Sequence, residues 1–197
     1  MAYEYAIALS GGIATGKSSA VSLLRLNGLR VIDADEISHK ILDASGEWVK
    51  ESFGEEFVLN GKVDRAKLGK LIFADSKAKK KLESFLHPKI REAIEQESIK
   101  QDRFKFPYLI DIPLFFESGS YPIKDSVVVY TPKDLQLERF IKRNGYSLEE
   151  SLRRIESQMD IEEKKLRATW VIDNSKDLKH LQNECEEFVE KIKAKFL

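Results

Sequence analysis

The residues with the clearest chemical signal lie near the start of the chain, in Ser10–Ser18, which reads SGGIATGKS. From Gly11 onward this stretch matches GxxxxGK followed by Ser or Thr at every fixed position. Glycines at this spacing let backbone N–H groups surround phosphate oxygens, and the lysine and hydroxyl that follow serve the phosphates and a magnesium ion. The pattern therefore predicts a phosphate loop, with Lys17 on the β/γ-phosphates and Ser18 on Mg²⁺.

The elements that must position this loop are a strand before it and a helix after it, and the sequence contains signals for both. Tyr5–Leu9 is a short apolar run of strand length, while Lys17–Asn27 places apolar residues at helical spacing before a stop at Gly28. The helix would point its free N–H groups and positive dipole end at the phosphates. A plain glycine-rich turn followed by a surface lysine is the alternative, and this context disfavours it.

Two acids follow the second predicted strand, Leu29–Ile32, as Asp33-Ala34-Asp35. Carboxylates at the carboxyl end of a strand in an open α/β sheet stand at the crevice where ligands bind. Such an acid can hold Mg²⁺ through water or accept the proton of an attacking hydroxyl. It can also cap a helix, and Glu36–Leu42 looks helical. We expect one of the two aspartates to fill each role.

Three further strands are predicted later in the chain. Tyr108–Ile112 is apolar apart from Asp111, an arrangement typical of a Walker B acid that orients Mg²⁺ or its waters. Ser126–Tyr130 is a β-branched run of the kind buried on both faces of a sheet, and Trp170–Ile172 is the last strand. The final helix carries one apolar stripe that should pack on the sheet, formed by Leu178, Leu181, Cys185, Phe188, Val189 and Ile192.

Between the second and third strands, Asp43–Gln101 gives no strand signal and several amphipathic helical stretches. These stretches are Trp48–Phe53, Arg65–Phe73 and Ala78–Gln101. A proline inside a helical pattern predicts a kink, so Leu86-His87-Pro88 is a candidate functional surface, although a lone histidine is more often structural. The basic run Lys77–Lys81 is interpreted as a solvated helix face.

Arginines are abundant after the fourth strand. Arg139 and Arg143 lie four residues apart on one helical face, which suits a lid that closes on a nucleotide and stabilises the migrating phosphoryl group. The alternative is a pair of salt-bridged surface helices, because glutamates are interleaved. We expect that alternative for most of the other arginines, Arg153, Arg154 and Arg167.

These patterns together predict an α/β protein with the P-loop NTPase fold, a five-stranded parallel sheet with helices on both faces. We interpret residues 1–197 as a single domain. Its core comprises residues 1–42, 106–135 and 168–197, with a helical insertion at 43–105 and an arginine-rich lid at 136–167.

The amino-acid composition limits the classes of binding partner that the sequence predicts. The 197 residues contain 33 basic and 33 acidic side chains, so net charge gives no argument for nucleic acid or an anionic membrane as a partner. The single cysteine, Cys185, excludes an internal disulfide and fits a reducing cytosol. No secretion signal or membrane-spanning run is visible. We expect a cytoplasmic monomer or weak homo-oligomer.

The motifs taken in order resemble the dephospho-CoA kinase family almost from end to end. The matching stretches are SGGIATGKS, VIDAD, LHPKI, DIPLFFE, QLERFIKR at 136–143, RRIESQ and VIDN. The resemblance implies ATP-dependent phosphorylation of the ribose 3′-hydroxyl of dephospho-CoA, with ATP and Mg²⁺ as cofactors.

The resemblance also implies roles for individual residues. Asp35 would accept the proton of the 3′-hydroxyl, and Lys17, Arg139 and Arg143 would hold the migrating phosphoryl group. ATP would lie on Gly12, Ile13, Ala14, Thr15, Gly16, Lys17, Ser18 and Ser19, with Asn174 near its adenine end. Dephospho-CoA would contact Ser10, Asp35, His87, Pro113 and Leu114. Ser18 and Asp111 would serve the metal ion.

Three positions depart from the family pattern. Ser10 replaces the usual Thr, which keeps a hydroxyl, while Asn144 and Thr169 stand where Asp is common. A nucleoside-monophosphate or other small-metabolite kinase is the nearer alternative function, because loop, acid and lid do not identify the acceptor. A non-catalytic nucleotide switch or nucleic-acid binder is the farther one.

Overall fold

The structure is a computed structural model that describes residues 2–196. In chain order its elements are β1 (Ala6–Gly11), α1 (Lys17–Leu26), β2 (Val31–Asp33), α2 (Ala34–Asp43), α3 (Gly46–Phe53), a 3₁₀ turn (Glu55–Phe57), β3 (Val58–Leu59), β4 (Lys62–Val63), α4 (Arg65–Ala74), α5 (Ser76–Asp102), β5 (Tyr108–Asp111), α6 (Phe115–Ser118), β6 (Asp125–Tyr130), α7 (Lys133–Asn144), α8 (Leu148–Glu156), α9 (Ile161–Arg167), β7 (Trp170–Asp173) and α10 (Leu178–Phe196). All five predicted sheet strands and the three predicted insertion helices are present, with boundaries shifted by a few residues.

A five-stranded parallel sheet in the order β2-β5-β1-β6-β7 forms the centre of the fold. β1 is the middle strand and pairs in parallel with β5 through Ala6↔Tyr108 and with β6 through Ile7↔Asp125. All six residues of β1 and all four of β5 are buried. Helices lie on both faces, so the predicted fold class is confirmed. This order places the residues after β1, β5 and β6 at one edge of the sheet.

The chain divides into two compact units, and the first comprises Met1–Ile32 with Ser98–Leu197. Its main core joins inward residues of the sheet to α1 and α10. The predicted stripe of α10 is buried at Leu181, Cys185, Phe188, Val189 and Ile192. Leu178 was predicted to belong to this stripe and is 68% exposed, because it begins the helix and has no preceding turn to cover it. Burial raises the pKa of the Cys185 thiol to about 12, as expected for a core residue.

The second unit, Asp33–Glu97, has its own apolar core around Val49, Leu68 and Leu82. Trp48 stacks on Phe85 with ring centroids 3.7 Å apart. The prediction that this region has no strands is wrong, since β3 and β4 form an antiparallel hairpin with Val58 opposite Val63. Asn60 and Gly61, both with positive φ, make its turn.

Two features of the long helices bear on the predictions. Pro88 lies inside α5 and does not end it. None of the helices described between residues 2 and 196 is long and apolar enough to cross a membrane.

Candidate active site

The predicted phosphate loop connects β1 to α1. Gly16 caps the N-terminus of α1 in the left-handed conformation, with φ 83°, and its carbonyl accepts hydrogen bonds from the amides of Ser19 and Ala20 at 3.0 and 3.1 Å. The first amides of a helix have no partner within it, so those of Lys17 and Ser18 remain available to an anion. Ser18 and Ser19 in this first turn are exposed. The predicted strand–loop–helix context is confirmed.

Glycine is required at position 16 for two separate reasons. A positive φ is strained for any residue with a Cβ atom. A Cβ atom built here would also lie 2.0 Å from Nδ2 of Asn174, well inside van der Waals contact. The loop therefore closes on the residue that follows β7.

Lys17, the first residue of α1, and Asp111, the last residue of β5, form an ion pair. The Lys17 ammonium donates to both carboxylate oxygens of Asp111, one of them at 2.6 Å. The two side chains are 19% and 10% exposed, so the pair is largely withdrawn from water. A poorly solvated pair of this kind interacts more strongly than a surface pair. The structure thus brings together the predicted phosphate-binding lysine and the predicted Walker B acid.

Residues distant in sequence form hydrogen bonds that support the phosphate loop. The carbonyl of Thr15 accepts from Nδ2 of Asn174 at 2.7 Å and from the hydroxyl of Thr131 at 3.0 Å. Arg139, on α7, donates to the same Thr131 hydroxyl at 3.2 Å. Thr131 and Asn174 are 0% and 8% exposed. Two residues predicted to touch the nucleotide, Asn174 and Arg139, are thus built into the support of the loop.

A second set of contacts reaches the loop from the segment around α9. The amide of Ile13 donates to Oε1 of Gln158 at 3.1 Å, and Nζ of Lys164 donates to the carbonyl of Gly11 at 2.9 Å. Ser10 Oγ donates to the carbonyl of Pro113 at 2.9 Å. Sequence reasoning missed Gln158 and Lys164, because both lie in a charged stretch that resembles ordinary surface helix.

The arginines of residues 136–167 lie in different surroundings. Arg154 and Arg167 form ion pairs with the glutamates four residues before them, and Arg153 approaches Glu149 at 3.9 Å, which confirms the surface-helix interpretation for these three. Arg143 is exposed and lies over the ring of Phe140 at 5.6 Å from the centroid.

In the second unit, the two aspartates after β2 have different surroundings. Asp33 is the N-cap of α2 and accepts a hydrogen bond from the amide of Glu36 at 2.9 Å, so the prediction that one aspartate caps the helix is confirmed. Asp35 lies in the first turn and is exposed, and among residues 2–196 its carboxylate has no hydrogen-bond or ion-pair partner. His87, on α5 next to Pro88, is also exposed.

Ser18 and Asp111, the residues predicted to serve a metal ion, both carry side-chain oxygens. Across residues 2–196 no cluster of three or more His, Cys, Asp or Glu side chains has metal-binding geometry. Mg²⁺ commonly takes one or two protein oxygens and completes its shell with phosphates and water. The Ser18 hydroxyl and the Asp111 carboxylate supply oxygens of that kind.

Comparison with known proteins identifies a consistent set of relatives. A family model described as dephospho-CoA kinase matches residues 5–180. A dephospho-CoA kinase from Sulfurimonas denitrificans is 80% identical over 197 residues, covering 100% of this chain and 98% of the relative.

Solved structures agree with the sequence matches. A dephospho-CoA kinase from Campylobacter jejuni superposes with a TM-score of 0.79 at 36% identity, covering 98% of this chain and 99% of the other. A shikimate kinase from Acinetobacter baumannii has a TM-score of 0.52 at 16% identity, with coverage of 98% and 94%, and so shares the fold alone.

Proposed function

The chain belongs to the dephospho-CoA kinase family and is an ATP-dependent kinase, and we propose that it phosphorylates the ribose 3′-hydroxyl of dephospho-CoA to give coenzyme A and ADP. The observation that carries this proposal is the family match over residues 5–180. That range includes the phosphate loop, the aspartates after β2 and the arginines of α7 in one chain.

The phosphate loop binds ATP in this proposal. Residues 12–19 and the N-terminus of α1 surround the β- and γ-phosphates, which are drawn there by the helix dipole. The Lys17 ammonium either leaves the Asp111 carboxylate or keeps that contact while it follows the γ-phosphoryl group during transfer. Mg²⁺ held by Ser18 and Asp111 would neutralise phosphate charge when bound.

Asp35 acts as the general base in this proposal, and the surroundings of the three candidate carboxylates support the choice. Asp33 is engaged as a helix cap and Asp111 is engaged by Lys17, while Asp35 is exposed and open to an incoming hydroxyl. As the 3′-oxygen forms a bond to the γ-phosphorus, its proton passes to Asp35. The bond from that phosphorus to the bridging oxygen breaks, and ADP leaves with the electron pair.

The remaining predicted residues complete the proposed site. Arg139 and Arg143 stabilise charge on the transferring phosphoryl group, and Asn174 lies toward the adenine. Ser10, Pro113 and Leu114 face the acceptor, and residues 43–105 with His87 receive its CoA moiety. Leu114 is 46% exposed, which leaves its apolar surface available for such a contact.

The cellular setting is also proposed. A single buried thiol and a balanced net charge suit a cytoplasmic enzyme whose ligands are small molecules rather than nucleic acid. We expect a monomer or a weak homo-oligomer, with residues 136–167 acting as a lid.

ADP release measured against a panel of acceptors tests the proposed function. The panel contains dephospho-CoA, nucleoside monophosphates, shikimate and no acceptor, each with ATP and Mg²⁺. We expect rapid turnover with dephospho-CoA alone. Equal turnover with a nucleoside monophosphate would identify a different acceptor, and release without acceptor would indicate a simple ATPase.

A further inference from the structure

Lys164 is a fully buried lysine that the reaction described above does not use. It lies on α9 and its side chain is 0% exposed. Lysine is almost never fully buried unless its charge is paired, because removing an ammonium group from water costs several kcal/mol. This residue therefore needs compensating contacts, and their identity indicates its role.

The ammonium group of Lys164 has three donors and three polar neighbours. It donates hydrogen bonds to the carbonyl of Gly11 at 2.9 Å and to the carbonyl of Pro113 at 3.3 Å, and it forms an ion pair with Oε1 of Glu117 at 2.8 Å. Its charge is thus compensated by two backbone oxygens and one carboxylate. Glu117 is 23% exposed, so the counter-charge lies toward solvent while the cation lies inside.

The two carbonyls belong to the segments that carry the phosphate-binding groups. Gly11 is the last residue of β1 and the first of the phosphate loop. Pro113 lies two residues after Asp111, the partner of Lys17, and its carbonyl also accepts from Ser10. Lys164 consequently fixes the peptide units that follow the paired strands β1 and β5, and does so from a third element.

The segment that precedes α9 is also bound, both to Glu117 and to the loop. Glu117 accepts a hydrogen bond from the amide of Met159 at 3.1 Å. Gln158, the preceding residue, accepts from the amide of Ile13 inside the loop. Contacts at both ends of residues 158–164 therefore hold the loop and this segment in one arrangement.

We propose that Lys164, balanced by Glu117, is a positioning residue for phosphoryl transfer: it holds the carbonyls of Gly11 and Pro113 away from the bound phosphates and couples the segment around α9 to the loop. Its acceptors are backbone oxygens that would otherwise repel an incoming phosphate. This inference rests on the proposed function only for its kinetic test.

Lys164→Met tests the inference, because methionine has a similar length and keeps the apolar stem while removing charge and donors. Lys165→Met is the matched control, since it removes the neighbouring cation, which lies over the ring of Tyr130 at 3.9 Å. We expect Lys164→Met to lower kcat/KM for ATP by roughly 10- to 100-fold, the scale of a misplaced catalytic contact. The kinetic constants of the Lys165→Met control should change little.

A purely structural role would give a different result. In that case the melting temperature of Lys164→Met would fall, while kcat and the KM for ATP per folded molecule would match the wild type, and the proposal would be wrong. If Lys164→Met does not fold, Glu117→Gln takes its place, because this partly exposed site tolerates an isosteric change. We expect a several-fold loss of ADP affinity there, and unchanged affinity would overturn the proposal.

ADP binding measured by titration calorimetry separates this inference from the proposed function. Wild-type protein that binds ADP and does not phosphorylate dephospho-CoA would disprove the proposed function only. The positioning role still predicts at least about tenfold weaker ADP binding for Lys164→Met than for Lys165→Met.

Discussion

The phosphate loop and the proposed acceptor-side residues are held in different ways. The loop depends on buried, long-range contacts, among them Asn174 to Thr15 across 159 positions and Lys164 to Gly11 across 153. Asp35 and His87, in the second unit, are exposed side chains on helices. The proposed nucleotide site is thus preorganised by the fold, whereas the proposed acceptor residues depend mainly on the helices that carry them.

This difference predicts which substitutions alter both stability and catalysis and which alter catalysis alone. A change beneath the loop should alter both the free energy of unfolding and catalysis, since it leaves buried polar groups unpaired. A change at an exposed acceptor-side residue should alter catalysis alone. The following variants test this distinction, beginning with the largest expected effect.

Asp35→Asn should lower kcat by roughly 10² to 10⁴, the usual contribution of a general base, and leave the melting temperature unchanged. Steady-state kinetics with ATP and dephospho-CoA, beside thermal unfolding, measures both. Asp33→Asn is the matched control, because asparagine caps a helix as well as aspartate does. An equal loss in both variants, or no loss at Asp35, would place the base elsewhere, with Asp111 the next candidate.

Lys17→Met should lower kcat by roughly 10² to 10³, since it removes a charge that stabilises the transferring phosphoryl group. Unlike Asp35→Asn, it should also lower the melting temperature, because the Asp111 carboxylate, 10% exposed, loses its cation. Lys40→Met, at an exposed lysine of the second unit, serves as the control. Wild-type activity in Lys17→Met would rule out this loop as the phosphate site.

Gly16→Ala should lower kcat/KM for ATP by about 10², because its Cβ atom would displace Asn174 and shift the loop. Gly28→Ala distinguishes this clash from backbone strain, since Gly28 has a φ of 87° and open space around its Cβ position. We expect Gly28→Ala to cost about 1 kcal/mol of stability with normal kinetics. Similar kinetics in the two variants would show that Asn174 does not constrain the loop.

The smallest expected effect is the pH dependence of the stability that Asp173, the residue before Asn174, contributes. Burial tends to raise its pKa, but hydrogen bonds from Ser175 and the influence of His180 outweigh burial and lower the pKa below its ordinary value. Asp173 therefore stabilises the fold above pH 4 to 5, and the contribution is lost as the pH falls through its folded pKa. The stability difference between wild type and Asp173→Asn, measured by urea unfolding, should shrink on acidification; a constant difference would contradict this assignment.

Local patterns made much of the molecule predictable. The loop motif, the five sheet strands and the cap at Asp33 depend on residues that are neighbours in sequence. The hairpin of β3 and β4 was missed because two-residue strands have no periodicity. Asn60-Gly61, a strong turn signal, was nevertheless present in the sequence.

The supports of the loop were not predictable, because their roles depend on tertiary contacts. Lys164 is one of two adjacent lysines in α9 by sequence, and only the fold shows that it is buried. Asn174 was assigned toward the adenine, and its contact with the Thr15 carbonyl emerges only when β7 lies beside β6. A sequence motif thus identifies the residues that contact a ligand more readily than the residues that position them.

The most direct test of the account is a crystal structure with a non-hydrolysable ATP analogue, Mg²⁺ and dephospho-CoA bound together. The account predicts the triphosphate on residues 12–19 and one Asp35 oxygen within about 3.2 Å of the ribose 3′-oxygen, the reach of a general base. A triphosphate bound elsewhere, or Asp33 or Asp111 at that oxygen with Asp35 turned away, would contradict it.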